Sequence, residues 1–475
     1  MHLALILAVL AALLSAEASP DVPVAGVWGR LAAAAAAVAG VCLFAALSAG
    51  VTARRLSARA GRGLSQFSRS ENGTVPFPNP LQSYDRLRRL HLLVWLAAAG
   101  AILIGLDWAR LVRANWGLAD AFLADELLIL APVILPLILS WAAFYEVDRA
   151  VRLAAGSPDD LALPGRWHYL ALHARHYLGI VLVPVLAMVA VQDAAAGLCP
   201  QLIAEGREGL VLVPCLAGVI LLFPVLLRYV WATEPLRPGP LRDTLERAAR
   251  RFGFRPRGIR VWRTGGMVAN AAVAGFVRPL RYVFVSDGLI EDLDPDELTA
   301  VLGHEAGHVR HRHLPLRVLA MFLPFCLWLT AAQLFPHTAG DLAGWLDKLG
   351  PPAGLPVGLL LLGALGVYLV FVFGPFSQLL EHQADLFACR HLDPPPGRTA
   401  VEVFGSALDK LVGRNGSGAR GRSWQHAGLE RRLALLTRLL GDARAERRFQ
   451  RGLRWLAAGL VGLVLSPAVV GLLAL

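Results

Sequence analysis

The side chains of His304, Glu305 and His308 have the types and the spacing of a metal site on a helix. Residues four positions apart lie on one face of a helix, so both imidazoles can bind the same ion. Glu305 is next to His304, from where it can reach a water bound to that ion and accept its proton. Zinc in an enzyme needs such histidines, one more protein ligand and an open position for water. The pattern therefore predicts metal-assisted hydrolysis, with His304 and His308 as ligands and Glu305 as the catalytic base.

The helix that would carry this motif is well marked. Asp294 suits the N-cap, Pro295 suits the first helical position, and Glu297 completes a capping box. Gly303 and Gly307 each cost about 1 kcal/mol relative to alanine in a helix interior. Their place beside the motif indicates either that another element packs closely there or that a glycine-rich chain simply tolerates them.

A third ligand must come from elsewhere in the chain. Glu381 and Asp385 follow a long apolar run, and they share a helix face because they are four residues apart. Charges also collect where membrane spans end, so the pair alone does not establish a metal site. His382 is a competing ligand, but it would point to a different face from Asp385. Two further histidines after the motif, His311 and His313, are expected to be solvated.

The composition is that of a membrane protein. Of 475 residues, 56% are hydrophobic and 17% are charged, whereas a soluble domain has about half and a quarter. The formal net charge is +11, but no basic stripe is interleaved with aromatic residues, so nucleic acid is not an expected partner. The five cysteines are scattered and form no C-x-x-C pair, which argues against a disulfide framework and a thiolate zinc site.

Eight apolar stretches are predicted to cross a lipid bilayer, or nine if the N-terminal run is included. Most of the eight reach the ~20 residues that a bilayer requires. The N-terminal run, within residues 1–26, is interpreted as a signal peptide or a first span. The eight stretches are Leu31–Val51, Leu92–Leu106, Leu127–Tyr145, Tyr177–Val191, Leu210–Leu227, Val318–Phe335, Leu355–Leu380 and Trp455–Leu475.

Arginine-rich and arginine-poor loops alternate along these stretches. By the positive-inside rule the arginine-rich loops are cytoplasmic, and they include both parts of the metal motif. The sequence thus predicts a multi-pass protein of the inner cell membrane with its active site toward the cytoplasm. The predicted segments are a transmembrane helical region (27–227), a catalytic unit (228–317), a transmembrane pair (318–380), a cytoplasmic segment with the third ligand (381–451) and a C-terminal transmembrane helix (452–475).

The segment 228–317 is long enough for a small folded unit. Leu241–Arg251 reads as a helix, and alternation predicts strands at Ile259–Arg263, Met267–Val273 and Tyr282–Ser286. Asp287 and Gly288 are expected to form a turn before the motif helix.

The two motifs together resemble those of the membrane zinc metallopeptidases of the HtpX and type I CAAX prenyl protease group. The chain has His304-Glu305-x-x-His308 followed by Glu381-x-x-Ala384-Asp385, and the resemblance covers roughly residues 240–435. It implies that Glu381 is the third zinc ligand and that Asp385 orients a ligand by hydrogen bonding.

Two weaker similarities concern substrate binding. The segments around Asn270-Ala271 and around His426 and Arg432 resemble family segments, which implies that these four residues contact substrate. This chain has Ala427 where the family usually has proline, and Arg432 also suits an interfacial anchor.

The resemblance and the span pattern together predict a mainly α fold. The chain would be a polytopic α-helical membrane protein of 8–9 spans with a small α/β zincin-like catalytic unit on the cytoplasmic side. The predicted function is an integral membrane zinc metalloendopeptidase with one Zn²⁺ per chain. It would hydrolyse peptide bonds in membrane-associated or misfolded membrane proteins, with the zinc-bound water activated by Glu305. The alternatives are a CAAX-type prenyl protein protease, an antirepressor-type sensor protease, and a non-catalytic transporter or scaffold with a vestigial motif.

Overall fold

The structure is a computed structural model, in which the chain forms two compact units. The first unit comprises Met1–Trp231 with Pro351–Leu362, and the second comprises Ala232–Gly350 with Gly363–Leu475. The structure describes residues 1–17, 22–60, 80–119, 121–154, 165–201, 205, 207, 209–337, 340, 344, 351–414 and 428–473.

The described part of the first unit is helical. Wider π-type turns continue its helices at Ala101–Gly105, Leu111–Asn115 and Ala174–Gly179. Its other helices are His2–Glu17, Val27–Ala60, Pro80–Gly100, Trp108–Arg110, Ala124–Ala154, Arg166–His173, Ile180–Leu198 and Gly209–Val230.

Eight helices in the described ranges are long and apolar enough to cross a membrane, and they coincide with the eight predicted stretches. Large apolar side chains on these helices are exposed, among them Trp328 and Phe371. A bilayer accommodates such a surface, whereas water does not. The prediction of a mainly α, multi-pass membrane protein is confirmed. The eight candidate spans are Val27–Arg55, Arg86–Gly105, Ala124–Ala150, Arg166–Leu198, Gly209–Val230, His313–Leu334, Val357–His391 and Ala443–Leu473.

The second unit contains a four-stranded sheet in the order β1-β2-β4-β3. The strands are β1 Thr233–Pro235, β2 Gly258–Trp262, β3 Ala271–Ala274 and β4 Tyr282–Ser286. Strands β2 and β4 are parallel, and the other two pairs are antiparallel. Among the described strands, β3 forms one edge of the sheet.

Helices surround this sheet in the second unit. A 3₁₀ turn, Arg278–Leu280, precedes β4, and a π-type turn, Leu369–Phe373, precedes the helix that carries Glu381. The helix Pro351–Tyr368 is divided between the two units. The other helices are Pro240–Arg251, Asp287–Asp292, Pro295–Arg310, His313–Leu334, Gly374–His391, Ala400–Arg414, Leu429–Gly441 and Ala443–Leu473.

The predicted strand at Met267–Val273 is wrong in its bounds, since β3 begins at Ala271. The carboxylate of Asp287 accepts hydrogen bonds from the backbone amides of Thr264 and Gly265, each at 2.9 Å. These bonds fold the segment before β3 into a loop. The predicted turn at Asp287 and Gly288 is also wrong, because both residues begin a short helix capped by Ser286.

The helix Pro295–Arg310, called the motif helix below, begins with the predicted capping box. The Asp294 carboxylate accepts from the Glu297 amide, and the Glu297 carboxylate accepts from the Asp294 amide at 3.0 Å. Glu297 is buried and also accepts from Ser406 Oγ and Lys410 Nζ, each at 2.6 Å. Burial opposes its charge, but these hydrogen bonds prevail and lower the pKa of Glu297.

The motif helix packs closely against the helix Gly374–His391, called the ligand helix below. A Cβ added to Gly307 would lie 2.9 Å from Cα of Ala384 and 3.1 Å from its carbonyl oxygen. A Cβ added to Gly303 would lie 3.3 Å from Cα of Ala388. The two glycines therefore mark a close approach of two backbones, and mere tolerance of glycine does not explain them.

We predict that Gly307→Ala destabilises the protein although alanine is the better helix former. Overpacking of a core costs about 1–3 kcal/mol, which exceeds the gain of about 1 kcal/mol in helix propensity. The control is Gly452→Ala, a helical position where an added Cβ would meet no described atom within 4 Å. In detergent, the thermal midpoint should fall for Gly307→Ala and stay level or rise for Gly452→Ala. Equal midpoints for both variants would show that the close contact is not needed.

Candidate metal centre

Three side chains from the two packed helices converge at one point. Nε2 of His304 lies 3.1 Å from Nε2 of His308, both on the motif helix. The carboxylate of Glu381, on the ligand helix, lies 3.5 Å from His304 Nε2 and 3.4 Å from His308 Nε2. Ligand atoms of a tetrahedral zinc ion with bonds of ~2.0–2.1 Å are about 3.3 Å apart. The spacing of these three residues therefore fits a zinc ion.

The electrostatics of the site also fit a divalent cation. Glu381 and Asp385 are buried, with 4% and 0% of their surface exposed. Burial disfavours a charged His304, but hydrogen bonds to Asp385 and Glu381 prevail and raise the pKa of His304 to about 10. Two buried carboxylates thus favour positive charge at the imidazole of His304. Either a proton or a metal ion can supply that charge. Because a metal competes with that proton, metal binding here would release it.

Glu305 lies beside these ligands and faces strand β3. Ligand atoms of His304, Glu305 and His308 all lie within 4.8 Å of one another. Glu305 Oε2 accepts a hydrogen bond from the backbone amide of Val273 in β3, at 3.0 Å. Burial raises the pKa of Glu305 to about 7, which suits a group that must take up a proton near neutral pH. The carboxylate is therefore held in place and is basic enough for proton transfer.

Asp385 contacts the imidazole of His304 on the side away from the other ligands. Its Oδ1 lies 2.8 Å from His304 Nδ1. The guanidinium of Arg432 binds both oxygens of Asp385, at 2.9 Å from Nε and 2.5 Å from Nη2, and only 11% of that side chain is exposed. The structure thus places the guanidinium of Arg432 on Asp385, and its contact with substrate stays a prediction. His382 lies farther off, with Nδ1 3.9 Å from Asp385.

The other predicted substrate contacts divide into two groups. Asn270 is exposed immediately before β3, and its backbone donates to Ser286 Oγ and accepts from the Ser286 amide, both at 2.9 Å. Ala271 begins β3, so both residues lie at the start of the strand whose Val273 contacts the carboxylate of Glu305. His426 and Ala427 lie outside the described residues.

Two residues near the metal centre were not expected there. His313 was predicted to be solvated, but it is fully buried, with Nδ1 2.7 Å from Nδ1 of His308. The reason is that it begins a new helix directly after the motif helix and turns back against it, whereas His311 is half-buried. Arg317, one helical turn further, donates to Glu381 at 2.6 Å. The one signal in the sequence that linked His313 and Arg317 was their spacing of four residues, which places them on the same helix face.

Comparison with known proteins agrees with this geometry. Residues 235–422 match the peptidase family M48. The chain is 32% identical over 166 residues to a homolog of the protease HtpX from Aeropyrum pernix, covering 34% of this chain and 50% of that one. It is 32% identical over 197 residues to another from Moorella thermoacetica, covering 37% of this chain and 61% of that one. The matches therefore span about half the length of these curated relatives.

A solved structure is also similar over most of the chain. The crystal structure of S. mikatae Ste24p aligns with 18% identity and a TM-score of 0.46, covering 83% of this chain and 98% of that chain. The resemblance of the two motifs to the HtpX and CAAX protease group is confirmed by the family match. The match to peptidase family M48 covers residues 235–422, which include both the motif helix and the ligand helix.

Proposed function

We propose that this protein is an integral membrane zinc metalloendopeptidase that binds one Zn²⁺ per chain. The convergence of His304, His308 and Glu381, with separations of 3.1–3.5 Å, is the observation that supports this most directly. The family match and the HtpX protease relatives support peptide bonds as the target. The eight candidate spans support substrates that are membrane-associated or misfolded membrane proteins.

In the proposed reaction a side chain of the protein accepts the proton and later releases it. Zinc, when bound, would polarise a water molecule and lower its pKa to about 7. Glu305 is placed to accept the proton of that water as it attacks a peptide carbonyl, and then to deliver the proton to the leaving amine. The hydrogen bond from Val273 keeps the carboxylate from turning away. Asp385 orients His304, and Arg432 holds Asp385 in place.

Strand β3 is the proposed binding edge for an extended substrate. It pairs with β4 on one side, and the Val273 amide points to the other side, where it meets Glu305. A peptide added along this edge would gain backbone hydrogen bonds without a sequence requirement. Such a peptide would pass directly in front of the catalytic carboxylate, with Asn270 and Ala271 beside it.

We further propose that the protein resides in the inner cell membrane with the metal centre toward the cytoplasm. The arginine-rich segments 228–317 and 381–451 support this orientation. The predicted division of the chain into membrane and catalytic segments is part of the same proposal.

Arg432 provides a test of the proposed metal centre. The Arg432→Gln variant should bind zinc about 10–100-fold more weakly. Losing a hydrogen-bonding group that orients the ligands of a metal typically weakens metal binding by this factor. The control is Arg431→Gln, which changes an exposed neighbour on the same helix. Chelator competition measures both affinities. If a folded Arg432→Gln variant binds zinc as tightly as the wild type while Asp385→Asn binds it more weakly, Arg432 does not support the metal centre.

Glu305 provides a test of the proposed reaction. The Glu305→Gln variant should keep its zinc and lose about 10²–10⁴-fold in the rate of cleavage of a membrane-protein substrate, which is the usual contribution of a general base. Glu430→Gln, at an exposed position, is the control and should remain active. The measurements are zinc content and cleavage of a membrane protein by the purified enzyme in detergent. Normal cleavage by the Glu305→Gln variant, or a wild-type protein that binds no zinc, would refute the proposed function.

A further inference from the structure

The second imidazole ligand, His308, is supported by a chain of hydrogen bonds that leads away from the metal centre. His308 Nδ1 lies 2.7 Å from His313 Nδ1, and His313 Nε2 lies 2.9 Å from Gln383 Oε1. The Gln383 side-chain amide then donates to Gln450 Oε1. The four residues lie on four different helices of the second unit, and the last of them is the C-terminal candidate span Ala443–Leu473.

The direction of each hydrogen bond follows from the first one. Nε2 of His308 faces His304 and Glu381, so its lone pair is reserved for the metal and the proton resides on Nδ1. His313 must therefore accept at Nδ1 and carry its proton on Nε2, which donates to the Gln383 carbonyl oxygen. That leaves the Gln383 amide nitrogen to donate to Gln450. One tautomer of each imidazole and one orientation of each amide satisfy the whole chain.

The burial of these groups makes the chain cooperative. His313 is fully buried, Gln383 is buried and Gln450 is half-buried. A buried polar group that loses its partner costs about 1–3 kcal/mol, so a break at one link disfavours the arrangement of the next. Gln383 is two residues from Glu381, so the ligand helix presents a metal ligand on one face and this link on another.

The two imidazole ligands are therefore supported in chemically different ways. His304 contacts the charged pair of Asp385 and Arg432. His308 contacts a second imidazole, His313, which leads to two side-chain amides. All three groups are neutral in the arrangement derived above. The neutral chain adds no negative charge at the metal and connects His308 to a membrane-spanning helix.

We propose that His313, Gln383 and Gln450 are positioning residues of the metal centre. They hold His308 in its metal-binding tautomer and couple the centre to the C-terminal membrane-spanning helix. This inference rests on the proposed zinc site and adds three residues to it.

The test compares zinc affinity, by chelator competition, across variants of the full-length protein. His313→Phe and Gln383→Met should each bind zinc about tenfold or more weakly, and Gln450→Met should shift in the same direction. Gln383→Glu should bind zinc more tightly than Gln383→Met, because a carboxylate still accepts from His313 Nε2 although it cannot donate to Gln450. Gln333→Met changes an exposed glutamine near the far end of the helix that begins at His313, and this control should bind zinc as the wild type does.

A second readout separates positioning from general stability. Cobalt substituted at the site gives visible absorption bands that report the coordination geometry, and these should change in His313→Phe but not in Gln333→Met. Wild-type affinity and spectra in His313→Phe and Gln383→Met would overturn the inference while leaving the zinc site intact. If His313→Phe and Gln383→Met do not fold, the zinc affinity of Gln450→Met is the test. A wild-type zinc affinity in that variant overturns the inference. A wild-type protein without zinc would overturn the proposed function as well.

Discussion

The close contact between Gly307 and Ala384 is the constraint on which the metal centre depends. His304 and His308 are far from Glu381 in the sequence, and their side chains meet only because two helices approach at a distance that excludes a Cβ. The motif helix leads directly into the candidate span His313–Leu334, and the ligand helix is the end of the span Val357–His391. The candidate centre therefore lies where two candidate spans end, and the contact between the two helices sets the separations of its side chains.

Charge is arranged around this contact with little access to water. Buried carboxylates from Glu381 and Asp385 face the imidazoles. Arg432 pairs with the carboxylate of Asp385, and Arg317 donates to that of Glu381. A buried charge is tolerated only when it is paired and hydrogen-bonded. The pairing explains how two carboxylates and two guanidinium groups can share a small volume beside Glu305, whose burial raises its pKa.

The sequence was informative where the signal was local. The capping box of the motif helix, the strand Tyr282–Ser286 and the eight spans depend on neighbouring residues or on periodicity, and the structure has all of them. The start of β3 was missed because Asp287, a residue beyond that strand, holds the preceding loop. The burial of His313 and the place of Arg432 were missed for the same reason, since each depends on a helix that its own neighbourhood does not reveal. Glu381 could be proposed from the resemblance, because spacing alone left it equivalent to any charge at the end of a span.

In the proposed metal centre, one ion binds to two imidazoles of the motif helix and one carboxylate of the ligand helix. X-ray absorption at the zinc edge of the purified protein tests this most directly. We expect one zinc per chain with nitrogen and oxygen ligands at ~2.0–2.1 Å, imidazole scattering from two histidines, and a changed coordination shell in Glu381→Ala. Absence of zinc, sulfur in the first coordination shell, or a spectrum unaffected by Glu381→Ala would contradict it.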